Sequence, residues 1–354
     1  MGRLTNVNAF CFLFPPLLCL CLLYMKFLVS CLSYFSCLLK VLPYICFIKL
    51  VCMDRNAPDY YLETTDSSLS DTEAFVRHTL GLEYEGKEAE VTTTAGSSPL
   101  LVTPVVTPRF VPTCTVELLQ GLGKISSMYQ IPVQSHLSES PQEIAWVKEL
   151  HPECSSYSDV YRRYGLMHER SYFAHCVHSC GEERAMMLDT KAGVVHCASS
   201  NMMLSSGVCN VRRFLDEGIK VGLGTDVAGG YSTSMLDCIR KTLIVSRVSC
   251  MGVKHDEGGE GGEPISFQEA FHLATQGGAE TLGLGEVVGN FLPGKQFDAI
   301  VVDPTADRGE GHGSSPYDLF PELGQGMQAA FEKFLFLGDD RNIWEVFVAG
   351  KKVV

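Results

Sequence analysis

Between residues 100 and 226 the chain repeats one unit, and this repeat restricts the fold more than any other feature. A short apolar run is followed by a helical stretch, again and again. The runs are "PLLVTPVVTPRF", "IPVQSH", "SYFAHC", "AGVVHC" and "IKVGLGTD", with helices expected near 115–129, 141–150, 181–191 and 208–217 between them. Apolar strands separated by helices imply a parallel sheet, because each crossover must return the chain to the same end. An earlier run, "ICFIKLVCMD", reads as one more buried strand. A helix over 63–82 follows it, with Asp66, Ser67 or Ser70 as its cap and Leu69, Phe75, Val76 and Leu80 on one face. Two architectures fit this α/β pattern: a closed barrel of eight units, or a doubly wound open sheet.

Each run ends on a polar side chain. Arg109, with Phe110 beside it, closes the first; His136, with Glu139 just after, closes the second; His175, His196 and Asp226 close the others. The carboxyl ends of parallel strands are where such folds place their active sites. A single strand-end histidine is most often a satisfied structural group. Five polar ends in succession are harder to explain by packing, since each costs desolvation unless paired or bound to a metal. Imidazoles with a carboxylate suit zinc, and a second carboxylate outside the ligand set suits proton transfer. Zinc lowers the pKa of its bound water to about 7, and Glu139 could carry the proton released. The planar fork of Arg109 could grip a carbonyl oxygen and a ring nitrogen of a heterocycle, with Phe110 over the ring face. A strand-end salt bridge is the alternative for Arg109.

Charge and cysteine usage narrow the function further. The net charge is −13, yet residues 1–50 carry Arg3, Lys26, Lys40 and Lys49 and no acid, so the remainder is more acidic still. Without a basic cluster, such a body is a poor partner for nucleic acid polymers. Of the 15 cysteines, many crowd the first fifty residues and the others are scattered singly with no CxxC pair. That is the usage of reduced, buried thiols in a cytosolic protein, without a disulfide framework or a zinc knuckle.

The two ends differ from the middle. "AFCFLFPPLLCLCLLYM" is uncharged and is followed by further apolar chain, interrupted by Lys26 and Lys40. Residues 1–44 therefore read as a hydrophobic segment, either a membrane anchor within residues 9–49 or sequence that is not native to the protein. Residues 45–285 read as the α/β body. Residues 286–354, with "VGNFLPGKQFDAIVVDP" and "IWEVFVAGKKVV", have strand and hairpin character and read as the end of the body with part of a small β-sandwich. Polar loops are expected at 86–99, 254–264 and 305–316.

Several stretches together resemble the guanine deaminases of the amidohydrolase superfamily: "TPRF" (107–110), "QSHLSE" (134–139), "AHC" (174–176), "HCASSNMMLSSG" (196–207), "VGLGTDVAGGYSTSMLDCIR" (221–240), "VGNFLPGKQFDAI" (288–300) and "FLGDDRNIWEVFVAGKKVV" (336–354). The resemblance covers roughly 45–354. It implies a TIM-like (β/α)8 barrel with a flanking β-sandwich, one zinc ion per chain, and hydrolysis of guanine to xanthine and ammonia. His136 and Asp226 fall on its zinc-ligand positions, with His175 as a third candidate ligand. Glu139, Asp226 and His175 match catalytic positions, and His175 would orient the water or the substrate. Arg109, Phe110, His136, Glu139 and Asp226 match substrate-binding positions. His196 and Asn201 match structural support. A cytosolic homodimer is also implied, with membrane contact only if residues 9–49 act as an anchor.

The sequence departs from that pattern in one respect. The family's first barrel strand ends in an H-x-H pair of zinc ligands, but no two of the ten histidines here are separated by one residue, and none precedes His78. The match begins at about the third family strand, so an incomplete barrel with two open edges is expected, its first two strands missing. With an incomplete ligand set, this chain is expected to hold zinc weakly and to be inactive or nearly so. The alternatives are an inactive isoform serving as a binding or dimer partner, or a deaminase of another heterocycle such as a pterin.

Overall fold

The computed structural model describes residues 10–12, 46–81, 83–84, 87–88, 102–251, 262–303 and 326–354. In chain order the elements are β1 (Phe10–Phe12), β2 (Cys46–Cys52), α1 (Thr65–Thr79), β3 (Glu83–Tyr84), β4 (Lys87–Glu88), β5 (Val102–Pro108), α2 (Val116–Tyr129) and β6 (Val133–Leu137). There follow α3 (Pro141–Leu150), α4 (Tyr157–Arg163), β7 (Ser171–His175), α5 (Gly181–Thr190), β8 (Gly193–His196), α6 (Ala198–Met203), α7 (Val211–Asp216) and β9 (Val221–Leu223). The chain continues with α8 (Met235–Cys250), α9 (Phe267–Ala274), α10 (Gln276–Thr281), β10 (Ala299–Val302), α11 (Met327–Leu337), β11 (Ile343–Val348) and β12 (Lys351–Lys352).

The main sheet has six strands in the order β2-β5-β6-β7-β8-β9, all parallel and in chain sequence. A doubly wound sheet would reverse its order part-way. Strictly sequential order is instead that of a barrel wall, with β2 and β9 as its edges among the described residues. Adjacent strand residues face opposite sides, and the core divides accordingly. Val106, Val133, Phe173 and Val194 pack with the helices. Val105, Tyr172, Ala174, Val195 and Cys197 form a second cluster on the other face, joined by Leu282 and Phe47. That inner face leads to the site.

Local chemistry sets the helix starts. Thr64, rather than Asp66, Ser67 or Ser70, caps α1: its hydroxyl accepts from Ser67 N at 3.1 Å while Ser67 Oγ accepts from Thr64 N at 3.2 Å. Ser67 therefore belongs to the cap as the reciprocal partner three residues in. Thr115, Ser140, Ser156, Ser234 and Ser266 cap α2, α3, α4, α8 and α9, each side chain accepting from the backbone N–H three residues on. Helices α4, α6, α8 and α11 occur where no helix is expected from the sequence. The first two are short, 7 and 6 residues, too brief for a clear period. In α8, Leu236, Ile239 and Leu243 are buried at helical spacing, a legible signal. Gly222 lets α10 close on β9, since a Cβ there would stand 3.0 Å from Gly278 Cα.

A second sheet, β1-β10-β11-β12, is antiparallel. Its first strand, Phe10–Phe12, comes from the apolar N-terminal segment and pairs with Val302 to Ile300. The remainder of that segment lies outside the described residues. So do most of loop 86–99, all of 305–316 and residues 252–261. No helix among the described residues is long and apolar enough to cross a membrane. Arg240 of α8 ties the tail to the body, donating to Leu335 O at 2.7 Å and Gly338 O at 2.6 Å, where it satisfies carbonyls at the end of α11.

Candidate metal centre

His136 is the strand-end residue that alternation places directly. Gln134 and His136 both project from β6 into one cavity on the inner face. The Nδ1 of His136 hydrogen-bonds Arg109 O at 2.5 Å, and Tyr161 OH donates to its carbonyl at 2.8 Å. Because a carbonyl only accepts, the proton sits on Nδ1 and the lone pair on Nε2. Burial, followed by the neighbouring His175, holds the imidazole well below the usual histidine range, so it is neutral.

His175 reaches the same place by a different route. Ala174 faces the cavity, so strict alternation would send His175 to the helix side. Positive backbone angles at His175 (φ 72°) and Cys176 (φ 50°) break the pleat, and the His175 ring stacks on His136 with centroids 5.1 Å apart and planes 15° off parallel. Its Nδ1 donates to Asn201 Oδ1 at 2.8 Å, which turns Nε2 toward Glu139 and Asp226. Asn201 thus orients His175 through the ring's outer nitrogen, as supporting groups do at metal sites.

Asp226 lies just beyond β9 at φ 46°. Its Oδ2 is 4.0 Å from His175 Nε2. The turn needs glycine: a Cβ at Gly230 would fall 2.1 Å from Thr225 O. Glu139 follows Ser138, which has φ 47°; its Oε2 is 3.6 Å from His175 Nε2 and its Oε1 accepts from Ser206 Oγ at 2.7 Å. Two buried carboxylates brace this turn. Glu183 accepts Ser138 Oγ at 3.0 Å, and Glu143, raised in pKa by burial, accepts Tyr157 OH at 2.7 Å.

His136, His175 and Asp226 offer ligand atoms that all lie within 4.8 Å of one another. Two imidazoles with their outer nitrogens already committed, plus one carboxylate, form a nitrogen and oxygen donor set that suits zinc. The residues present fit a metal ion.

A small cavity beside this cluster is lined by Lys49, Gln134, His136, Tyr172, Cys197 and Asp226, among others. Lys49 and Gln134 are absent from the sequence-based site, although a lone lysine inside "CFIKLVC" is itself a signal. Arg109 N donates to Cys52 O at 3.2 Å, which anchors the start of the Arg109-Phe110 segment. The Phe110 ring meets Trp146 of α3 edge-on at 6.3 Å.

His196 does not join the cluster. It is buried, and neither ring nitrogen has a hydrogen-bond partner among the described residues. Burial, with His175 nearby, lowers its pKa to about 4. Of the five strand-end groups, His136, His175 and Asp226 converge, Arg109 is joined to them through its carbonyl, and His196 stays behind as a neutral core group.

Residues 43–353 match the amidohydrolase family. The chain is 42% identical over 307 residues to guanine deaminase of Dictyostelium discoideum, covering 87% of this chain and 62% of that protein. Against guanine deaminase of Homo sapiens the identity is 40% over 312 residues, covering 87% and 63%. A crystal structure of guanine deaminase from C. acetobutylicum with guanine bound in its active site superposes with a TM-score of 0.72 at 37% identity, covering 87% of this chain and 65% of that one. The chain spans less than two thirds of the length of these relatives.

Proposed function

The chain belongs to the amidohydrolase family, and on that premise we propose that its site serves the zinc-dependent hydrolysis of guanine to xanthine and ammonia. The observation that carries this reading is the convergence of His136, His175, Asp226 and Glu139 beside the Arg109-Phe110 pair. His136 and Asp226 would hold one zinc ion, with His175 as the third protein ligand. Bound there, zinc supplies the Lewis acidity that ionises water near neutral pH.

The chain's own residues perform the remaining tasks. Arg109 binds the purine carbonyl and an adjacent ring nitrogen through its guanidinium fork, and Phe110 covers the ring face. Asp226 accepts the proton of the attacking water, and Glu139, hydrogen-bonded to Ser206, moves protons on to the ring nitrogen and the departing amine. Water adds at the amino-bearing carbon, the carbon–nitrogen bond breaks, and the amine leaves as ammonia. A cytosolic homodimer is part of the same proposal; the described cysteines are all free and mostly buried, which suits a reducing compartment.

The ligand set without an H-x-H pair leads us to expect weaker zinc retention than a fuller histidine set would give. The test is the purified 354-residue chain, assayed for bound zinc and for ammonia release from guanine, adenine, cytosine and pterin. Zinc-dependent release that is fastest with guanine supports the reading. Preference for pterin, or release that ignores added zinc, refutes it.

A further inference from the structure

One buried charge among the described residues is not used by the proposed chemistry. Lys49 sits in the middle of β2 and is only 8% exposed. Its ammonium donates to Gln134 Oε1 at 2.6 Å. Gln134 stands two residues before His136 on the same strand face, and Gln134 Nε2 is itself held by Ser135 O at 3.1 Å. No ion pair to Lys49 occurs among the described residues within contact distance. Phe47, its neighbour on the inner face, packs edge-on against Tyr172 at 6.5 Å. Lys49 is therefore a fixed cation, pinned by a neutral amide, in the cavity that His136 and Asp226 also line.

We infer that Lys49 is a built-in opponent of the metal: its ammonium partly neutralises Asp226 in the metal-free protein and repels a divalent cation that enters the same cavity. This rests on the metal reading of the His136, His175 and Asp226 cluster. Two cations that line one cavity with a carboxylate, inside the protein, are screened less than they would be in water. A buried lysine cannot swing out to bulk solvent as surface lysines do, because its stem is enclosed and its head is tied to Gln134. Asp226 is the acid whose charge acts most strongly on Lys49, and Lys49 in turn acts on His136.

The test compares zinc affinity, measured by competition with a chromophoric chelator at neutral pH, in the full chain and three variants. Lys49→Met and Lys49→Gln remove the charge, and Lys49→Arg keeps it. Thermal unfolding in EDTA checks that each variant folds, and the Gln variant retains a partner for Gln134 if the Met variant does not fold. Both neutral variants are expected to bind zinc about tenfold more tightly or better, with the Arg variant close to the parent. Unchanged or weaker binding in the neutral variants overturns the inference, as does equal tightening by Lys49→Arg. If neither the parent nor any variant binds zinc, the metal reading itself fails and the inference falls with it.

Discussion

The buried ammonium of Lys49 also predicts how the metal-free protein responds to pH. Burial lowers its pKa from 10.5 to about 8, against an opposing pull from Asp226 and a smaller one from Cys197, with Arg109 adding to the lowering. Each pKa unit is worth about 1.4 kcal/mol, so holding this proton in the folded state costs about 3 kcal/mol at pH 7. The sign follows from proton counts. Between pH 8 and 10.5 the unfolded chain holds the Lys49 proton and the folded chain has released it, so stability rises with pH through that window. Lys49→Met removes the cost and also strands Gln134 Oε1, a loss of about 1–3 kcal/mol. The two effects nearly cancel at pH 7, which makes the pH dependence the informative quantity. Urea unfolding in EDTA, followed by circular dichroism at several pH values from 7 to 10.5, would measure both proteins. The parent should gain about 3 kcal/mol relative to the variant across that range. Taking the difference cancels the other groups that titrate there. A stability difference that stays constant with pH would refute the assignment of Lys49 as a buried, charged group.

Three further outcomes follow from the site. Asn201→Ala removes the acceptor at His175 Nδ1 and should weaken zinc binding by about 10–100-fold in chelator competition; unchanged affinity would count against His175 as a ligand. Glu139→Gln should keep its zinc while turnover of guanine falls by about 10²–10⁴-fold, read from metal content and xanthine formation. Trp146→Ala takes away the ring that backs Phe110, a contact of about 0.5–1.5 kcal/mol, and should raise KM for guanine about two- to twelvefold with kcat little changed.

The parts of the site were legible in the sequence to different degrees. His136 was fully so, because it ends an apolar run and shares its face with Gln134 by simple alternation. Glu139 was legible by its distance along the chain from His136. The cap of α1 was not: Thr64, Asp66, Ser67 and Ser70 are all competent, and only the backbone angles at Thr64, extended at φ −83° and ψ 154°, choose among them. His196 shows the limit from the other side. It ends an apolar strand in the same manner as His136, yet it remains a neutral buried group outside the cluster.

What the sequence determined by itself was the class of fold, the chemical kinds of side chain at the strand ends, and the absence of an H-x-H pair, since these depend on local pattern and composition. What the tertiary structure alone decided was which of those side chains meet. His175 and Asp226 enter the site through left-handed backbone at φ 72° and 46°, conformations that packing around the strand ends must impose because the residues themselves disfavour them. Lys49 likewise became part of the site only when β2 took its place beside β5 and its ammonium met Gln134. A strand's alternation is local and can be read from the chain. The cavity into which it points is formed by strands distant in sequence.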